Sequence, residues 1–181
     1  MGLGETSVKW RCAVFLSFIG FIMMIAAVAS TYFAVVEIIP NLDRHIGFWY
    51  ICDDTKTYSC QDFVEYLNDI EEGSDWVHGC RALVVIGMII EGLTIVVSVY
   101  MAYMAAGMNI GHMVAACADF VSVVVNMIGG LVFLANSMDI LQSQLEMDSD
   151  PSWSFVLFII AQGLFLTAGG IQILEACRTD S

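Results

Sequence analysis

Basic side chains are what this sequence has least of. Six Lys and Arg stand against 19 Asp and Glu, a formal net charge of −13 over 181 residues. A chain with that balance has little to offer a phosphate backbone, so nucleic acid is not expected as a partner. No phosphate-cradling glycine loop occurs, and no nucleophile stands in a pattern with a base. His45, His78 and His112 are isolated from one another. His78 and Cys80 supply two metal ligands where a structural zinc site takes four. There is also no Asn-x-Ser/Thr acceptor. The absences leave no catalytic residue, metal or cofactor to nominate, and no enzyme activity is expected.

Hydrocarbon is what the chain has in excess. Its residues are 59% hydrophobic, against about 45–50% in a soluble domain. The apolar residues fall into four blocks, 12–36, 82–104, 113–136 and 155–176. Each is long enough to cross a bilayer, which takes roughly 20 residues. The first block exceeds a signal-peptide core and three more follow it, so it reads as a span. A single domain over 1–181 follows, with loops at 37–81 and 137–154 on one side of the membrane. Nearly all the acid excess sits there. Residues 37–80 carry ten acids against Arg44 and Lys56, and residues 137–154 carry Asp139, Glu146, Asp148 and Asp150 with no base. Such loops attract cations and disfavour anionic headgroups.

Charge does not orient the chain: Lys9, Arg11 and Arg178 flank the termini, while Arg44, Lys56 and Arg81 lie with the loops. Cysteine does. Cys52 and Cys60 enclose Asp53-Asp54-Thr55-Lys56-Thr57-Tyr58-Ser59, a polar, turn-forming run, and follow the strand-formers Phe48, Trp49, Tyr50 and Ile51. The spacing suits a hairpin stapled across its strands, a closed loop worth roughly 2.6 kcal/mol. Such a bond belongs to an oxidising compartment, which puts the loops outside and both termini in the cytoplasm. The chain is expected to run from residue 32 into a first strand. Hairpin strands follow over 44–52 and 57–63, and residues 64–72 are open between strand and helix. A short helix capped by Ser74 or Asp75 then leads to the second span. Cys80 is left over at the membrane edge, as a small helix-start residue or an intermolecular thiol. Cys177, beside the fourth span, is a candidate for palmitoylation, and Gly2 with Thr6 fits the myristoylation pattern.

Inside the spans, Glu91 shares a face with Thr94 and Ser98, and Asp119 shares one with Ser122 and Asn126. A charge there costs on the order of 2.5–3.5 kcal/mol, so these residues should face other helices. No base lies in any block to pair with them. An interhelical hydrogen-bond seam, about 0.6–1.7 kcal/mol per contact, is the expected role, with an ion or proton site the other reading. Because neighbouring spans run antiparallel, the two carboxyls are expected at different depths.

Gly47-Phe48-Trp49, then two residues, then Cys52 and later Cys60, resembles the Gly-Leu-Trp-x-x-Cys…Cys signature of the claudin superfamily, with Phe48 in place of Leu. Arg81-Ala82-Leu83 at the second span, Phe63 three residues after Cys60, and Ala135-Asn136 closing the third span are similar too. The resemblance implies a divergent claudin-like member of the clan that also holds the epithelial-membrane and peripheral-myelin proteins. Those relatives and the channel-auxiliary branch often carry a glycosylated first loop, which this sequence cannot. The implied fold is a left-handed four-helix bundle holding a small antiparallel extracellular sheet. The implied function is cell–cell contact in the plasma membrane, at junctions, where such proteins assemble side by side and head to head as barriers or paracellular pores. Its partners would be membrane lipid and further copies or other claudin-like proteins. For a pore, Asp53, Asp54, Asp62 and Glu65 are the acids that would favour cations. The alternative is an auxiliary subunit of a larger channel or receptor. Many claudins end in a hydrophobic residue that binds PDZ scaffolds; Ser181 is not one.

Overall fold

A computed structural model describes residues 8–39, 42–53, 59–104, 109–145 and 149–179. Four helices are long and apolar enough to cross a membrane: α1 (Val8–Ala29), α3 (Asp75–Met104), α4 (Asn109–Leu145) and α5 (Trp153–Thr179). The protein is mostly helical and of the multi-pass membrane type. Between α1 and α3 lie β1 (Ala34–Ile39), β2 (Leu42–Ile46), β3 (Tyr50–Asp53), β4 (Ser59–Asp62) and the short α2 (Phe63–Asp69). Between α4 and α5 lies β5 (Ser149–Pro151). The five strands form one antiparallel sheet in the order β4-β3-β2-β1-β5.

Several boundaries differ from expectation. The first span was expected to reach residue 36, but α1 stops at Ala29 and Ala34–Ile39 is strand. The run is apolar because it is buried in protein: Phe33, Ala34 and Val36 are at most 1% exposed. Its β-branched residues pair on both sides, with β2 and with β5. The helix expected before the second span is its first turns, since α3 runs unbroken from Asp75. Ser74 does not cap it by side chain; its hydroxyl donates to Asn68 Oδ1 at 3.1 Å. Of residues 64–72, those up to Asp69 are helix, because Asp62 caps α2 by accepting from the Val64 and Glu65 amides at 2.9 and 3.4 Å. β5 was not foreseen. It is three residues ending in Pro151, and Pro fits the outer edge of a sheet, where no partner needs its missing N–H.

The chain divides into two compact units. One comprises Met24–Val84 and Ile128–Ile159 and holds the whole sheet. Its core is aromatic: Phe33, Phe48, Phe63, Phe133 and Phe158 are fully buried. Phe33 meets Phe48, Phe133, Phe155 and Phe158 edge-on at 4.8–5.7 Å between centroids. Such edge contacts add to area burial. Gly130 lies against the Phe158 ring, with no room for a Cβ. The other unit comprises Met1–Met23, Val85–Met127 and Ile160–Ser181, all helical where described. There Gly20 packs on the Phe165 ring and Gly87 on the Asn126 amide. Its outward side chains, among them Phe15, Ile86, Leu93, Val96, Val124 and Leu174, are apolar and exposed. That pattern suits lipid as the surrounding solvent.

Candidate functional site: the disulfide-pinned turn

Cys52 and Cys60 are bonded, as the spacing suggested, with their Cα atoms 4.1 Å apart. They face each other directly in the β3–β4 register. The residues before them do not form the single strand expected over 44–52. Instead, Arg44–Ile46 belong to β2, which pairs antiparallel with β3, and the chain reverses between them. The Gly47 N–H donates to the Tyr50 carbonyl at 2.9 Å, closing a tight connection whose two central residues are Phe48 and Trp49.

Bulky aromatics are unusual in a two-residue hairpin turn, where Asn-Gly is the common choice. Here the turn packs against protein, and its carbonyls and both aromatic rings have partners. The Phe48 ring is fully buried and stacks on Phe133 at 4.2 Å. The Phe48 carbonyl accepts from Arg81 Nε at 2.6 Å. The Trp49 carbonyl accepts from Arg81 Nη2 at 3.2 Å and from the Phe63 N–H at 3.0 Å. The Trp49 ring lies over the Arg81 guanidinium, 4.9 Å from its centroid. Gly47 is required by close approach: a Cβ there would run into the Ser30 carbonyl and the Thr31 Cα. Arg81, Gly47, Phe48 and Trp49, nominated as one motif, therefore form one physical object.

The nominated acids fare unequally. Asp53 is tied to Arg44, accepting from Nε and, at 3.1 Å, from Nη2. That hydrogen bond, above all, pushes the Arg44 guanidinium above its ordinary range against the opposing effect of burial. Asp62 is occupied as the α2 cap and sits 3.8 Å from Arg81 Nη2. Glu65 is exposed, and Asp54 lies outside the described residues. Glu71, Glu72 and Asp75, which were not nominated, are exposed as well. A hollow of about 200 Å³ opens beside the disulfide, lined by Arg44, Asp53, Tyr66 and Gln61 among others. Cys80 is 2% exposed, which leaves it no access to a second chain and favours the reading as a small helix residue. Cys177 is exposed. Gly2 lies outside the described residues.

In the other unit, Glu91, Asp119, Ser122 and Asn126 are all fully buried. Ser122 Oγ donates to the Gly87 carbonyl at 3.0 Å, and Asn126 Nδ2 donates to Ser122 Oγ at 3.3 Å. The expectation of different depths is wrong for the two carboxyls, which are close enough to interact electrostatically. Ser122 on α4 bonds to Gly87 on α3, so four residues on along α3 and three back along α4 bring Glu91 and Asp119 to nearly the same level. Among these residues one hydrogen bond crosses from α4 to α3, Ser122 to the Gly87 carbonyl, while the Asn126–Ser122 bond lies within α4.

Neither a protein-family model nor a curated protein matches the chain.

Proposed function

We propose that this is a claudin-like cell-contact protein of the plasma membrane, with the sheet outside, both termini in the cytoplasm and the long helices as a left-handed bundle. The supporting observation is the Phe48–Trp49 turn, gripped by Arg81 and set beside the Cys52–Cys60 bond. A sheet so fixed is a rigid platform, and its free surface is acidic. It would meet copies in the same and the facing membrane, forming a paracellular barrier or a pore that prefers cations. Because Asp53 and Asp62 are already engaged, the preference would come from the summed field of the exposed loop acids rather than from one carboxylate.

Diffusion potentials across cell layers expressing the protein test this. Sodium should be favoured over chloride. Replacing Glu65, Glu71, Glu72 and Asp75 together by Gln or Asn should reduce the ratio more than any single replacement. Equal permeabilities that the replacements leave unchanged reject the pore. Co-purification of a stoichiometric larger channel, without self-assembled strands at cell contacts, would instead favour the auxiliary-subunit reading.

A further inference from the structure

The buried polar groups of the helical unit do not balance. Glu91 Oε1 and Oε2, Asp119 Oδ1 and Oδ2, and Asn126 Oδ1 are five buried acceptors that no donor meets in good hydrogen-bond geometry, although Ser122 lies near enough to Glu91 to act on it. The nearby donors are already used. Ser122 has one proton, given to the Gly87 carbonyl, and Asn126 Nδ2 is turned to Ser122. Asn126 Oδ1 is pressed against the Gly87 Cα face, one turn from Glu91. From α5, Gly169 presents a bare backbone against the Asp119 side chain.

Counter-charge is missing as well. No Lys, Arg or His occurs in α1 after Arg11, in α3 after Arg81, in α4 after His112, or in α5 before Arg178. The acid of α5, Glu175, acts on His112, and Cys177 lies two residues beyond it. Only Asp119 is identified as a charge acting on Glu91. Two bare carboxylates, dry and without a cation, would carry a desolvation cost that such groups escape by taking up a proton. Among the described residues no third His, Cys, Asp or Glu joins them to make a metal site. A proton needs no cavity and supplies the missing donor.

We propose that Glu91 and Asp119 together form a proton-binding site between α3 and α4, holding at least one exchangeable proton at neutral pH. The bound proton gives one carboxyl an O–H donor and removes one of two like charges, and with it the repulsion between the two helices. Losing it leaves like charges facing each other, so the site couples proton release to separation of α3 from α4. It stands independently of the proposed role at cell contacts.

Infrared spectroscopy of the full chain in nanodiscs of ether-linked lipid, which has no ester carbonyl to mask a carboxyl band, tests it. Solvated carboxyls, with reference values of about 4, contribute no protonated carbonyl stretch at pH 7. The wild-type protein should show one, shifted on exchange into heavy water and lost in the Glu91→Gln, Asp119→Asn double variant. Absence of the band from the wild type, or its survival in the double variant, overturns the proposal. If the double variant does not fold, Glu91→Gln and Asp119→Asn taken singly decide, since a band unchanged in both overturns the proposal.

Discussion

Arg81→Met is the substitution that most directly probes the turn. The arginine donates two charge-assisted hydrogen bonds, to the Phe48 and Trp49 carbonyls, and stacks on the Trp49 ring. Its side chain is 11% exposed, so the carbonyls it serves would not be rehydrated freely after its loss. Hydrogen bonds to a charged group are worth about 1.5–3 kcal/mol each, and the ring contact about 0.5–2. These do not add fully, and Met restores some packing, so the expected loss is ~3–5 kcal/mol. The assay is unfolding of the purified protein in mixed micelles, followed by tryptophan fluorescence. Trp49, Trp76 and Trp153 lie in the sheet-bearing unit and Trp10 in the other, so a Trp10→Phe background makes the signal report on the sheet. Arg81→Lys should recover less than half, because one ammonium cannot reach both carbonyls in a fixed fork. In a cycle with Trp49→Leu, the coupling should be about 0.5–2 kcal/mol. A loss under about 1 kcal/mol for Met, or full recovery by Lys, would refute the idea that the guanidinium fork sets the turn.

Other consequences can be read in the same assay. Replacing Cys52 and Cys60 together by Ser should lower stability by roughly 2.6 kcal/mol, and the difference should vanish when both proteins are reduced. Gly47→Ala should cost about 1–3 kcal/mol through its clash with the Ser30 backbone. Gly163→Ala, inside α5 where a Cβ meets nothing within 4 Å, should stabilise by about 0.5–1 kcal/mol. Glu71 has φ of 61° at the end of α2, the left-handed region that favours glycine. Glu71→Gly should therefore stabilise by about 0.5–1 kcal/mol, and a loss instead would show that the Glu71 side chain has a use of its own.

The four helices were legible because lipid demands one thing, a long apolar run, and leaves few ways to misread it. The sheet was legible only where a covalent bond marked it. Around Gly47 local propensity misled: Phe48, Trp49 and Tyr50 are strand-formers, and only Tyr50 lies in a strand. What overrode propensity was a partner 33 residues downstream, Arg81, whose reach to the Phe48 carbonyl no local window contains. The nominated acids were judged by charge alone. Arg44 opposite Asp53 is visible only once β2 and β3 are in register, since the two are cross-strand neighbours.

The depth of the buried carboxyls needed one fact that the sequence does not give, the register of α3 against α4. Two antiparallel helices joined by a short connection are related like the strands of a hairpin, so partners have a constant sum of residue numbers. Ser122 with Gly87 fixes that sum near 209, and Glu91 with Asp119 gives 210. Four residues further from the connection than Glu91, Gly87 gives up its side chain so that Asn126 can lie on its backbone. Gly87→Ala would push Asn126 off that face and disturb its bond to Ser122. The expected cost is about 1–3 kcal/mol, from overpacking and from the disturbed hydrogen bond. If the seam is one connected unit, Asn126→Ala should reduce the further cost of Gly87→Ala, since the clashing amide is gone. Independent, additive losses would mean that α3 and α4 meet in some other register.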